Sequence, residues 1–434
     1  MTLIKNPLSG GGGGGSASVV NGIIEQYKAS SGTIDANTFV EFVNTPSELQ
    51  ILSESEDTFG DQTSEGYGQH RQNVAVLSST KYVVCERTNI TVVSYENDTW
   101  TVGTSVNLGY TCSNIIAVDG STALAICGST SSNGYLYARV VTVSGTTPTL
   151  MTATQLSTTY YTANGVKSAQ YLNDSGYFYI AYGLGETNYV LYQQAVSISG
   201  TAVIAGTQST LSSRASSGAV IATVKMNGSK VIVFHRYGGS GSSGTYLSAD
   251  RATVSSSGSI SKSTLISTIT SSDQAYRYYI TATSMGDGRI LLTGCNTNQN
   301  GTAAWLLSYS DNDDILTEDV YTDMITSSST GCAWGIKWDD NHVLIGPGLR
   351  LATISEEGIS LQTGLGRACF YGGYITNKKT FVHTNAATAA LVGPIDPITI
   401  QPATSASAIA GLTATTCTDT AAGGVWVLNT NESE

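Results

Sequence analysis

Between Ser78 and Lys378 the chain turns seven times on a short polar corner set between two apolar runs. The corners are Ser78-Ser79, Asp119-Gly120, Asp174-Ser175-Gly176, Asn227-Gly228, Asp287-Gly288, Asp340-Asn341 and Asn377-Lys378. Their first residues lie 41, 55, 53, 60, 53 and 37 positions apart. Gly, Asn and Asp tolerate the positive φ that tight hairpin turns demand, so each corner predicts a strand–turn–strand unit. One four-stranded blade takes ~40–50 residues. The spacing therefore predicts an all-β fold, a β-propeller of about seven divergent blades. A second marker keeps step with the first. Val143-Ser144-Gly145-Thr146, Ile198-Ser199-Gly200-Thr201 and Val254-Ser255-Ser256-Ser257-Gly258 each close the third apolar run of their unit. Continuous apolar runs such as Val231-Ile232-Val233-Phe234 suit strands covered on both faces, which stacked blades provide. A β-sandwich or a β-solenoid is the competing architecture, and a solenoid needs a shorter, more regular period.

Charge narrows the class further. Charged residues make up 12% of the 434, against an average of roughly 25%. Hydroxyls and amides then solvate the surface, as suits a Ser-, Thr- and Gly-rich β protein. A net charge of −12 without a Lys/Arg-rich stretch speaks against a nucleic-acid partner. No run approaches 18 apolar residues, so no membrane insertion is expected. Met1–Ser16 has one lysine and no apolar centre, unlike a secretory signal. The seven cysteines, Cys85, Cys112, Cys127, Cys295, Cys332, Cys369 and Cys417, are all more than ten residues apart, which excludes CxxC-type metal or redox spacing. An odd count so spread fits folding in a reducing cytoplasm without structural disulfides.

The organisation reads as five segments. Residues 1–18 form a glycine-rich tether around Gly10–Gly15. Residues 19–45 form a β-hairpin, one strand at Ile23–Tyr27 and one at Thr38–Val43. Residues 46–69 are polar and acidic and read as a linker. Residues 70–407 are the propeller. Residues 408–434 are a C-terminal β segment, of which 408–430 pairs with the hairpin, because an isolated hairpin is marginal in water. The two chain ends would then share one small β-module.

Certain of these residues resemble a known group. Asn21-Gly22-Ile23-Ile24-Glu25-Gln26-Tyr27 and Gly32–Val43 resemble the opening of virion proteins from tailed phages and prophages of Gram-positive gut bacteria. Ile409-Ala410-Gly411-Leu412-Thr413-Ala414, closing on Gly424-Val425-Trp426-Val427, resembles the terminal segment of the same group, and Val143-Ser144-Gly145-Thr146-Thr147 matches its repeat ending. Cys417 and Trp426 depart from the pattern, as do the weak repeats after residue 290. The resemblance implies a structural virion protein, on a tail or tail tip, that presents a propeller face to host-surface glycan. A head decoration or head fibre is the alternative within that class. The implied partners are other virion proteins and a bacterial surface glycan, and the implied assembly is a homo-oligomer, a trimer being one arrangement.

No catalytic residue, metal site or cofactor is expected. His70, His235, His342 and His383 lack ligand-spaced neighbours, and His235, after an apolar run, reads as a packed strand residue. Gly238–Thr245 lacks the lysine of a phosphate loop. Asp311-Asn312-Asp313-Asp314 has oxygen donors for Ca²⁺ but reads more simply as a solvated turn. A propeller glycosidase or depolymerase is the enzymatic alternative. It needs paired carboxylates, and nothing in the sequence pairs Asp250, Glu186 or Glu318. A free lectin is a third reading. One pattern bears on binding: Tyr67, Tyr110, Tyr160, Tyr161, Tyr276, Arg277, Trp334 and Tyr371 each stand just before the expected first strand of a blade. Loops entering equivalent strands emerge on one face, where aromatic rings stack on sugar C–H surfaces. The plainer alternative is that these side chains anchor the loops to the core.

Overall fold

The computed structural model describes residues 23–43, 49–58, 73–86, 88–128, 135–157, 167–184, 190–212, 221–238, 245–267, 278–295, 302–325, 334–339, 341–346, 349–355, 358–361, 365, 369–374, 379–384, 388–394, 399–405, 411–418 and 423–427. The chain divides into two compact units, a large one made chiefly of residues 51–374 and a small one made of the two ends.

The large unit is a β-propeller of seven sheets, each built on four antiparallel strands; four of the sheets add a short fifth strand, which in blade 5 is Ile266–Ser267, parallel to Ile315–Ile325. Blade 1 holds Val74–Ser78, Lys81–Glu86, Asn89–Glu96 and Thr99–Val102. Blade 2 holds Thr111–Asp119, Thr122–Gly128, Leu136–Ser144 and Thr147–Leu150. Blade 3 holds Lys167–Leu172, Tyr177–Leu184, Val190–Ser199 and Ala202–Ala205, and blade 4 Ile221–Lys225, Lys230–Gly238, Thr245–Val254 and Ile260–Thr264. Blade 5 holds Tyr278–Gly286, Arg289–Cys295, Thr302–Ser310 and Ile315–Ile325, and blade 6 Trp334–Asp339, His342–Gly346, Arg350–Ser355 and Gly358–Leu361. Blade 7 is made of Cys369–Tyr374, Thr380–Thr384 and Thr388–Pro394, with Leu49–Thr58 as its fourth strand. The five corners from Ser78-Ser79 to Asp287-Gly288 join the first and second strands of their blades; Asp340, Asn377 and Lys378 lie outside the described residues. At Asp287-Gly288 both residues take positive φ, 50° and 76°, the geometry of a tight hairpin. In blades 1, 2, 5 and 6 a register shift precedes the corner and bends the first strand. The first strands of successive blades adjoin, blade 7 meeting blade 1, so they close a ring of seven.

The alternation within the second strands explains the continuous apolar runs. In blade 2, Ala123, Ala125 and Cys127 face blade 1, while Leu124 and Ile126 face blade 3. In blade 3, Phe178 and Ile180 face back while Tyr179 and Ala181 face blade 4. In blade 4, Val231 and Val233 face back while Ile232 and Phe234 face blade 5. Every one of these side chains is fully or nearly fully buried. A buried Val, Leu, Ile or Phe contributes about 1.5–3 kcal/mol each, so the seams between blades carry most of the unit's stability.

The expected linker over 46–69 is corrected: Leu49–Thr58 is a strand of blade 7. Its polar sequence suits an outermost strand with one neighbour. Ser55 Oγ accepts from Ala389 N (3.0 Å), Glu54 accepts from Thr388, and Trp100 Nε1 of blade 1 donates to Ser53 Oγ (2.9 Å).

The small unit is a closed five-stranded barrel in the order Ile23–Ala29, Thr399–Pro402, Phe39–Phe42, Gly411–Thr413, Gly423–Val427. The hairpin expected over 19–45 is corrected: its two strands are separated by Thr399–Pro402, which runs parallel to the first and antiparallel to the second. That strand also moves the propeller's C-terminal limit back from 407. Closure removes the exposed edges a lone hairpin would leave. The barrel core is Tyr27, Ala29, Ile34, Val40, Ile400, Cys417 and Val425. Thr413, fully buried, ties its strand to the loop before Phe39: its Oγ1 accepts from Thr38 N (2.8 Å) and donates to Asp35 O (2.6 Å), while its carbonyl accepts from Asn37 N (2.7 Å).

Candidate functional site

Each blade has a corner end, where strands one and two turn, and an opposite end, where strand two gives way to strand three and the chain enters strand one. Tyr110 stands immediately before the first strand of blade 2, at the end opposite Asp119-Gly120. Its half-buried ring packs on the core between blades 1 and 2 and lies 4.4 Å from the ring of Tyr137, the planes inclined at 32°. Tyr137 is the second residue of the third strand, and Tyr135 lies just before it. Both are half-buried, and a two-residue step on a strand puts them on one face. Burial pushes the Tyr137 phenol up, and the neighbouring Tyr110 and Tyr135 add to the shift. Sequence reasoning named Tyr110 and missed Tyr135 and Tyr137. The Tyr-Leu-Tyr alternation across Leu136 is the signal that could have found them.

The other expected positions fare differently. Trp334 opens the first strand of blade 6 but is only 6% exposed, and a Cβ on Gly346 would collide with its ring. A ring so covered has no face for a sugar, so the expectation of glycan contact is corrected there: Trp334 packs the blade. Tyr371 lies on the first strand of blade 7, in register with His383. Tyr67, Tyr160, Tyr161, Tyr276 and Arg277 lie outside the described residues.

Two clusters of titratable groups stand at seams between blades. Between blades 3 and 4, His235 and Asp250 are 4% and 3% exposed and joined at 2.9 Å through His235 Nε2. Lys262 Nζ lies 3.5 Å from the same carboxylate oxygen and donates to Leu211 O (2.7 Å). Burial works to raise the Asp250 carboxyl, but hydrogen bonds and charge from His235, with help from Thr264 and Lys262, hold it below its ordinary value. The phenol of buried Tyr179 is pushed well up, by burial and then by the Asp250 charge, and donates to Gln193 Oε1 (2.8 Å). His235 thus packs in its strand while bonding one carboxylate.

Between blades 4 and 5, Lys230 pairs with Asp311, and Arg251 with Asp314 (2.5 Å) and more loosely with Asp311 (3.7 Å). Asp313 accepts from Ser310 (2.9 Å), and burial with its acidic neighbours raises the Tyr309 phenol to about 12. The acidic turn read as a Ca²⁺ alternative spends its carboxylates on cations and hydroxyls of the protein. Among the described residues no cluster of His, Cys, Asp and Glu could hold a metal ion. The carboxylates named for a glycosidase are not brought together either. Asp250 is on the third strand of blade 4, Glu318 on the fourth strand of blade 5, and Glu186 lies outside the described residues.

Fold comparison agrees with this architecture. The WD40 domain of Toxoplasma gondii coronin superposes with a TM-score of 0.50 at 8% identity, covering 86% of this chain and 91% of that one. A chain of the Mitotic Checkpoint Complex matches with a TM-score of 0.48 at 9% identity, over 83% of this chain and 96% of that one. A hypothetical selenium-binding protein from Sulfolobus tokodaii matches at 0.43 and 9%, over 65% and 74%. No known family and no curated protein matches the sequence. The class these observations define is the β-propeller, and at such low identity the likeness is one of fold.

Proposed function

We propose that this protein is a structural component of a phage virion, a tail or tail-tip appendage whose propeller binds glycan on the host surface. The reading rests on one observation above all: the two end segments that resemble virion proteins form a single barrel, and the whole propeller lies between them in the chain. Such a division suits a protein whose ends serve assembly with other virion proteins and whose middle meets the host. Symmetric homo-oligomers are the usual form of such assemblies. Aromatic residues gathered at one end of blade 2 supply the kind of surface a sugar ring stacks on.

The test is binding of purified, labelled protein to whole Gram-positive gut bacteria, with released sugar assayed in the same tube. Saturable binding without sugar release is the expected result. Sugar release would replace this reading with that of a depolymerase. Failure to bind any strain would leave only a purely structural place, such as a head decoration.

A further inference from the structure

The end of blade 2 that carries the tyrosines is held from several directions. Asn107 Oδ1 accepts from Gly109 N (2.7 Å), and Gly109 sits at φ +73°, where a side chain is strained. Leu108, 1% exposed, donates to Thr88 O (2.6 Å), and its carbonyl accepts from Arg139 (2.9 Å), which also reaches Met151 O. The segment leading into Tyr110 is therefore fixed. The other side of the pair is fixed as well: Leu136, between Tyr135 and Tyr137, is fully buried, donates to Ser157 Oγ (2.8 Å) and accepts from Leu156 N (2.7 Å). Three half-buried phenols thus stand on a rigid frame, so little conformational freedom is lost when a ligand settles on them.

We propose that Tyr110, Tyr135 and Tyr137 form a binding site for a neutral sugar ring of a bacterial surface glycan. The inference rests on the host-binding reading above and gives it a place and a ligand class. Phenol faces take the C–H side of a pyranose, and phenol hydroxyls bond its hydroxyls. The neutral class follows from the nearest charge in the chain: Arg139, two residues from Tyr137, turns its Nε and one Nη to two backbone carbonyls. An anionic sugar would compete with those carbonyls for that guanidinium, while a neutral one needs no cation.

The test uses the full chain, a panel of neutral oligosaccharides, heat-killed Gram-positive gut bacteria, and the variants Tyr135→Ala, Tyr137→Ala and Tyr110→Phe. Tyr110→Phe keeps the ring that packs on the core, and melting temperatures check the fold of each variant. Each alanine variant should weaken sugar and cell binding about tenfold, the weight of one good contact, with melting unchanged. Wild-type protein that binds cells while both alanine variants bind equally well overturns the site and leaves the appendage reading standing. Binding to sugars that depends on the tyrosines, without binding to cells, supports the site and overturns the appendage reading. If wild-type protein binds neither cells nor sugars, both fall.

Discussion

His235 and Asp250 form a pair whose value comes from burial on both sides. A buried pair of this kind adds little over an apolar pair of the same shape, but removing one partner leaves the buried carboxylate short of a bond. His235→Ala should therefore cost about 3–5 kcal/mol, read by chemical denaturation at neutral pH, and His235→Phe should not restore it. The pH dependence follows from the Asp250 carboxyl, which lies below its ordinary value in the fold. Its contribution is fully present above the unfolded value of about 3.9 and is lost as pH falls through the lower folded value. In His235→Ala that carboxyl loses the largest of the groups that offset burial, keeping Thr264 and Lys262, so acid unfolding should begin at higher pH than in the wild type. An unchanged acid limb would show that the pair does not hold the seam. The sequence revealed only half of this. An apolar run before His235 marks a packed residue, but Asp250 is recognisable as its partner only through the register of the next strand, where it faces Val233. That register depends on the connection between the strands, whose composition does not encode it.

At the scale of elements, the seventh blade is where the ring closes, and its first strand meets both neighbouring blades closely. Gly372 and Gly373 sit on its first strand. A Cβ on Gly373 would lie 3.1 Å from Val74 Cγ1 and closer still to Val76, and one on Gly372 would lie 3.0 Å from Ile336 Cδ1. The neighbouring blades thus press their valines and isoleucine onto bare backbone. Gly373→Val should destabilise the propeller by about 1–3 kcal/mol through overpacking, and a matching Val76→Ala should recover part of the loss in a double-mutant cycle. Independent, additive effects would mean the two strands do not touch there. The seam also stacks Tyr82 on Phe381 (4.6 Å), with Trp100 against the same ring (5.9 Å) and bonded to the closing strand at Ser53. Trp100→Ala should cost roughly half of the 3–5 kcal/mol of a fully buried tryptophan, and limited proteolysis should then cut near the closing strand first. These details explain what the sequence could yield. The corners were legible because turn chemistry is local. The closing strand was hidden because it precedes the repeats by position and is polar by place: an outermost strand has little apolar alternation to display. Trp334 misled for a related reason, since an aromatic at the mouth of a strand looks the same whether covered or open.

The whole molecule sets a folding order. The barrel joins residues up to Phe42 with residues from Thr399 on, across the entire propeller. Closing a loop of that length from an unfolded chain costs about 3 kcal/mol more than closing one of a dozen residues. Blade 7 removes most of this cost, because Leu49–Thr58 and Thr388–Pro394 are neighbouring strands, and paired strands lie about 4.8 Å apart. The propeller needs no such help: its ring, seams and closing strand all come from its own residues. Dependence should therefore run one way. Thr413→Val removes the buried hydroxyl that ties the Gly411–Thr413 strand to the 35–38 loop, and should unfold the barrel while the propeller keeps its near-UV circular dichroism and protease resistance. Ser55→Pro breaks the closing strand where Ser55 meets Ala389, and should cost the barrel as well as blade 7. Amide exchange resolved by segment would read both at once. Thr413→Val chains that lose protection throughout blades 1 to 6 would refute the order, and would mean instead that the barrel holds the propeller shut.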